Sequence, residues 1–217
     1  MDVASGLAHV REKMAQACKR AGRDPASVRL VAVGKTKPVE MLREAQAAGQ
    51  TIFGENYAQE LRTKADALPG AEWHFIGALQ TNKAKLVVGR AALVHTCDRL
   101  ALAQEISRRA KAAALTQRVL LEVNVGREPQ KAGVLPEQTP ALLAEVRSLP
   151  AIACDGLMCI PPADRDPRPH FRSLRQLAHD LGLHELSMGM TADYEAAIEE
   201  GATLVRVGTA IFGERAP

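Results

Sequence analysis

The stretch RLVAVGKTKPVEMLREAQAAGQTIFGEN (29–56) holds one full cycle of the pattern that decides the fold. Arg29–Val33 is a short run dominated by branched aliphatics and is a predicted strand. The corner Gly34-Lys35-Thr36-Lys37-Pro38 follows, then Val39–Ala48 has helical spacing and stops at Gly49. A second apolar run opens at Thr51. The same cycle recurs to the end of the chain. The remaining predicted strands are Thr51–Phe53, Trp73–Ile76, Leu93–Thr96, Val119–Val125, Cys154–Met158, Glu185–Met188 and Leu204–Val207, eight in all with the first. Between them lie helical stretches at Tyr57–Ala67, Asn82–Val88, Arg99–Ala113, Pro136–Arg147, Pro169–Leu181 and Asp193–Glu200. Gly182 and Gly201, like Gly49, stand where C-terminal caps belong. Ahead of the first strand, Asp2–Ala21 carries Val3, Leu7, Val10 and Met14 on one face, an extra amphipathic helix that ends at Gly22.

Strand–helix alternation calls for a parallel sheet, because each parallel strand needs a crossover to bring the chain back. Eight such strands can close on themselves and remove both edges. An open doubly wound sheet usually has fewer strands and often a glycine-rich phosphate fingerprint, and neither G-x-G-x-x-G nor G-x-x-x-x-G-K-[ST] occurs. The expectation is a (β/α)8 TIM-type barrel with an N-terminal helix, in one domain over residues 1–217. Pro161–Pro169, rich in proline and charge, reads as a surface loop.

The 217 residues are enough to bury about 70% of the unfolded surface without a disulfide or metal staple. The net charge of +3 is not gathered into a basic run, which argues against nucleic-acid binding. Cys18, Cys97, Cys154 and Cys159 make no Cys-x-x-Cys pair and read as reduced thiols, and Cys97 has no histidine partner that argues for a nucleophile. Arg11, Glu12 and Lys13 interrupt the N-terminal segment too early for a signal peptide, and no apolar run reaches the roughly 18 residues of a membrane span. The expected setting is cytoplasmic, with no membrane or nucleic-acid partner, as a monomer or weak dimer.

In such a barrel, chemistry collects where the strands' C-terminal ends meet the βα loops. Those positions here are Gly34–Pro38, Gly54-Glu55-Asn56, Gly77 with Gln80 and Asn82, Glu122 with Asn124, Ser187–Thr191 and Arg206–Thr209. Alternation places Lys35 on the face of Val31 and Val33, toward the lumen. Two readings fit a lysine there. Its amine either forms a Schiff base with an aldehyde, with Lys37 two residues on favouring the neutral amine, or it snorkels to the rim and pairs with Glu55. Gly208-Thr209 and Ser187-x-Gly189 put small residues and hydroxyls on neighbouring strand ends, a phosphate cradle where barrels often hold one. Arg206 faces the lumen and needs an acceptor, either a ligand's pyridine nitrogen or a lumen acid such as Glu122. Asn56 either bonds a ring hydroxyl or caps the next helix, and Asp98 is a predicted N-cap. His74 and His95, on separate strands, read as core or rim residues, and His179 and His184 as exposed.

The stretches VAVGKTKP (31–38), IFGENYAQE (52–60), HFIGALQTNK (74–83), GLMCIPP (156–162) and LSMGMTADYEAAIEEGATLVRVGTAIFGE (186–214) together resemble the pyridoxal phosphate homeostasis protein family, over nearly the whole chain and in order. The resemblance implies the alanine-racemase-like barrel of fold type III, with pyridoxal 5′-phosphate (PLP) as a Schiff base on Lys35. It implies that Arg206 faces the pyridine nitrogen, that Ser187, Gly208 and Thr209 hold the phosphate, and that Asn56 lies near the ring. The chain departs from the family at Gly34, where Ser is frequent before the lysine, and at Thr191, where Ser is frequent.

A cation at the pyridine nitrogen disfavours its protonation and makes the ring a poorer electron sink. Racemisation also needs a second acid/base, which alanine racemase takes from a tyrosine in a C-terminal β-domain of its partner. Here the chain ends soon after Gly213, and Tyr57 and Tyr194 are its two tyrosines. The expectation is therefore a PLP carrier in vitamin B6 homeostasis, buffering the cofactor or delivering it to apo-enzymes. The competing readings are a weak racemase or lyase, and a phosphate-ligand barrel in which Lys35 pairs a substrate phosphate.

Overall fold

In the computed structural model, which describes residues 2–214, eight parallel strands close into a barrel in sequence order. They are β1 (Arg29–Val33), β2 (Ile52–Glu55), β3 (Glu72–Phe75), β4 (Leu93–Cys97), β5 (Gln117–Glu122), β6 (Ile152–Met158), β7 (Glu185–Ser187) and β8 (Leu204–Val207). Closure comes from β1 pairing with β8, where Val31 lies opposite Arg206 and Ala32 opposite Val207. The helices are α1 (Val3–Arg20), α2 (Val39–Ala47), α3 (Ala58–Ala67), α4 (Ala84–Val87), α5 (Leu100–Ala112), α6 (Thr139–Arg147), α7 (Arg168–Asp180), α8 (Tyr194–Glu199) and α9 (Thr209–Phe212). The expected (β/α)8 barrel with an added N-terminal helix is what the chain forms.

Alternation along each strand splits the apolar residues into two populations. Val31, Ile52, Leu93, Leu120, Met158 and Leu204 fill the lumen as a separate small cluster. Leu30, Ala32, Phe53, Phe75, Val94, Leu121 and Val205 point outward into the main core beneath the helices. Helix α1 begins at Asp2, whose carboxylate accepts the Ser5 amide at 2.8 Å, and packs against α8 and α9, over the seam where the barrel closes. Gly49, Gly182 and Gly201 all take positive φ, as the caps required.

The differences from expectation have local causes. Strand β5 begins earlier and stops at Glu122 rather than Val125, because the chain then turns to bond its own loop: Val134 donates to Glu122 O at 2.8 Å and Asn124 to Val134 O at 2.9 Å. Asn124 therefore organises the loop, its side chain bonding both main-chain groups of Glu128, and is not a rim ligand by strand position. The segment expected as a helix from Asn82 is a 3-10 turn at Thr81–Lys83 followed by the single turn of α4. The N-cap of α5 is Arg99, and Asp98 makes no capping bond. Among the described residues no helix is long and apolar enough to cross a membrane. All four cysteines are free, and burial pushes Cys97 and Cys159 up to about 12, so both are inert as thiolates.

Candidate functional site

Lys35 lies beyond β1, in the turn that follows it, rather than on the strand. The amide of Lys37 closes the turn on Gly34 O at 3.0 Å, and Thr36 sits in the left-handed region at φ 62°, a costly conformation for a β-branched residue. Two charged residues of α3 grip the turn on either side of Lys35. Lys64 Nζ donates to Gly34 O at 2.8 Å, while Glu60 Oε2 accepts the Thr36 amide at 2.9 Å. The same ammonium binds Glu55 Oε1 and Glu60 Oε2, both at 2.7 Å. Glu55 has no exposed surface, and burial pushes its carboxyl up to about 7 against the downward pull of Lys64. The Glu55 carboxylate, weighed above as a partner for Lys35, thus serves Lys64. Lys37 turns to the rim and donates to Glu214 O at 2.6 Å.

The opposite wall is built by β7, β8 and their loops. Arg206 is almost fully buried, and its guanidinium donates to Ser187 Oγ at 2.6 Å and to Cys159 O at 3.0 Å. Glu122, considered above as its partner, makes no ion pair with it. Ser187 was expected at the phosphate, but it has no exposed surface and its hydroxyl lies between Arg206 and His95. Register pairs it with Leu204, two residues before Arg206 on β8, so it stands a layer below Arg206. Gly189 is also buried. Its φ of 90° lets the chain reverse, its carbonyl accepts the Arg206 amide at 3.0 Å, and a Cβ there would meet that of Ala197 at 2.5 Å. At the rim itself, Thr209 Oγ1 and Thr191 Oγ1 are 3.1 Å apart.

Between the walls lies a cavity of about 260 Å³ at the C-terminal mouth, bordered by Lys35, Asn56, Arg206, Gly208, Thr209 and Thr191. Of the residues expected to act together, Lys35, Asn56, Arg206, Gly208 and Thr209 are brought together here, while Ser187 and Gly189 support from behind. Asn56 does not cap α3, whose N-cap is Tyr57; its Oδ1 is buried with no hydrogen-bond partner among the described residues. Ile160 and Met190, partly exposed, add apolar lining that the sequence did not single out. Glu60 and Lys64 were missed as well. The signal for Lys64 was present, since it shares the buried face of α3 with Ala58 and Leu61. No cluster of side chains suited to a metal ion occurs among the described residues.

Residues 6–216 match the family of the alanine racemase N-terminal domain, which sets the class of protein to which this barrel belongs. The pyridoxal phosphate homeostasis protein of Aquifex aeolicus is 46% identical over 99% of both chains, and that of Pseudomonas aeruginosa 47% identical over 98% of this chain and 96% of its own. The structure of PipY from Synechococcus elongatus with PLP bound superposes with a TM-score of 0.86 at 36% identity, covering 98% of this chain and all of that one. The chain belongs to the pyridoxal phosphate homeostasis protein family.

Proposed function

We propose that the protein holds PLP in the mouth cavity as a Schiff base on Lys35 and acts as a reversible carrier of the cofactor, buffering it and handing it to apo-enzymes. The observation that carries this reading is the convergence of Lys35, Arg206 and Asn56 on one cavity, with an Asn56 oxygen that has no partner among the described residues. The residues present fit the group. Asn56 offers an acceptor for a ring hydroxyl, Arg206 offers guanidinium donors to a ring nitrogen, and the Thr191 and Thr209 hydroxyls border the rim for a phosphate. Gly208 lets the end of β8 lie close to β1, since a Cβ there would press on Val33 O at 3.2 Å. Bound PLP supplies an aldehyde that condenses reversibly with amines.

The chain's own residues favour holding over turning over. The Lys64–Glu60 grip fixes the turn that presents Lys35, and Arg206 is braced by two neutral acceptors that leave its charge directed at the pocket. Neither tyrosine borders the cavity: Tyr57 is exposed at the start of α3, and Tyr194 is buried in the first turn of α8. This supports a carrier over a racemase, which needs a second acid/base. The test is an absorbance spectrum of the protein with PLP, before and after borohydride, with peptide mapping. A band lost on reduction with the pyridoxyl mass on Lys35 is expected; a protein that takes up no PLP overturns the reading.

A further inference from the structure

Below the cavity a chain of hydrogen bonds runs through the barrel from mouth to base. Arg206 Nη1 donates to Ser187 Oγ at 2.6 Å; His95 Nδ1 is 2.8 Å from the same oxygen; His95 Nε2 is 2.9 Å from His74 Nδ1; His74 Nε2 is 2.9 Å from Glu72 Oε1. Ser187, His95 and His74 are buried, whereas the Glu72 side chain is 40% exposed at the start of β3, the end of the barrel opposite the cavity. The stagger of the strands produces the climb. Register pairs His74 with Leu93, so His95 stands a layer above, and pairs Ser187 with Leu204, so Arg206 stands a layer above that.

The chemistry of the two ends sets the direction of every link. Arginine carries donors only, so Ser187 Oγ accepts from it and spends its one proton on His95 Nδ1. Burial lowers the basicity of both rings, which favours the neutral form with a single N–H on each. His95 must then carry its proton on Nε2 and give it to His74 Nδ1, and His74 must donate from Nε2 to Glu72. A carboxylate accepts only, so the base of the chain demands the same direction as the top. Each link then has one donor and one acceptor, with a cation at one end and an anion at the other, the arrangement in which each bond polarises the next.

We propose that Ser187, His95, His74 and Glu72 are positioning residues that lock Arg206 as a donor facing the pocket and anchor it to a carboxylate at the far end of the barrel. In its effect on cofactor binding this rests on the reading of the pocket as a PLP site. It also assigns the Ser187 hydroxyl to Arg206.

Two measurements test it. In cofactor-free protein labelled with ¹⁵N-histidine, long-range ¹H–¹⁵N spectra are expected to show both His74 and His95 as the Nε2–H tautomer; Nδ1–H on either ring overturns the relay. In PLP titrations, His95→Leu removes the acceptor for Ser187 and is expected to weaken binding about tenfold, the scale of one well-placed hydrogen bond. His95→Asn, whose amide oxygen takes the place of Nδ1 but which loses the link to His74, is expected to fall between wild type and His95→Leu, about threefold weaker than wild type. Equal affinities in the two variants overturn the proposal. Should His95→Leu not fold, Ser187→Ala is expected to show the tenfold loss, and wild-type affinity there overturns it equally. If the wild-type protein binds no PLP, the functional reading falls while the ring tautomers still decide the relay.

Discussion

Lys64 donates to the carbonyl of Gly34, so a buried ammonium on α3 holds the residue immediately before Lys35. With Glu60 on the amide of Thr36, the immediate neighbours of Lys35 on both sides are tied to one helix, and the left-handed Thr36 is held by bonds from outside the turn. A flexible loop cannot present an amine to a ligand in one orientation at low entropic cost; a loop clamped on both sides of that amine can.

Removing the clamp is therefore expected to damage stability and binding together. Lys64→Met leaves Glu55 buried without its partner and is expected to cost about 3–5 kcal/mol in urea unfolding. Adding Glu55→Gln to that variant is expected to restore part of the loss, since the uncompensated charge goes. A double variant no more stable than Lys64→Met would show that the charge was not the cause.

Lys35→Ala is expected to behave in the opposite way. Lys35 is only half-buried and lies beyond the strand, so its loss removes no lumen packing. Thermal unfolding should move by no more than a few degrees while the borohydride-reducible adduct disappears. A reducible adduct that survives in this variant would place the reactive amine elsewhere, with Lys37 and Lys83 the first to map.

Gly189→Ala tests the wall behind Arg206. The added methyl meets Ala197 and the Tyr194 main chain while φ stays positive, two penalties at one residue. Unfolding free energy is expected to fall by roughly 2–3 kcal/mol, with weaker PLP binding because the Gly189 carbonyl carries the Arg206 amide. Unchanged stability would mean that the loop has room to yield.

Glu122 gives a pH signature. Burial pushes its carboxyl up to about 7, and the nearby Asp98 adds to the rise while Arg206 opposes it. A carboxyl raised in the folded state stabilises it fully below the unfolded value of 4.5, and that contribution is lost as pH rises through about 7. Glu122→Gln removes the penalty, so the variant should match wild type at pH 4 and exceed it at pH 8 by an amount on the order of 3 kcal/mol. Denaturant curves at the two pH values check this; equal differences at both would exclude the linkage.

Much of this architecture is legible in the residues themselves. The strands β1 and β8 fall where branched aliphatics run between charged or glycine corners, and the residues after them, Lys35, Gly208 and Thr209, stand out as chemistry at strand ends. What the pattern hides is set by pairing across the barrel. His74 and His95 look like isolated core residues until register places one above the other. Ser187 reads as a strand-end hydroxyl, and only register and the pairing across the barrel show it between Arg206 and His95; the truncation of β5 depends on bonds to a loop that no local periodicity announces. The single turn of α9 is too short to leave a periodic trace.

The barrel closes by joining the first strand to the last, and this sets when the site comes into being during synthesis. Lys35 leaves the ribosome early and Arg206 near the end, yet their walls meet only after β8 docks beside β1. A nascent chain carries the amine without the arginine, the Thr209 hydroxyl or the enclosure that would retain a ligand. If the mouth cavity is the cofactor site proposed above, retention of the cofactor is a property of finished molecules and not of growing ones.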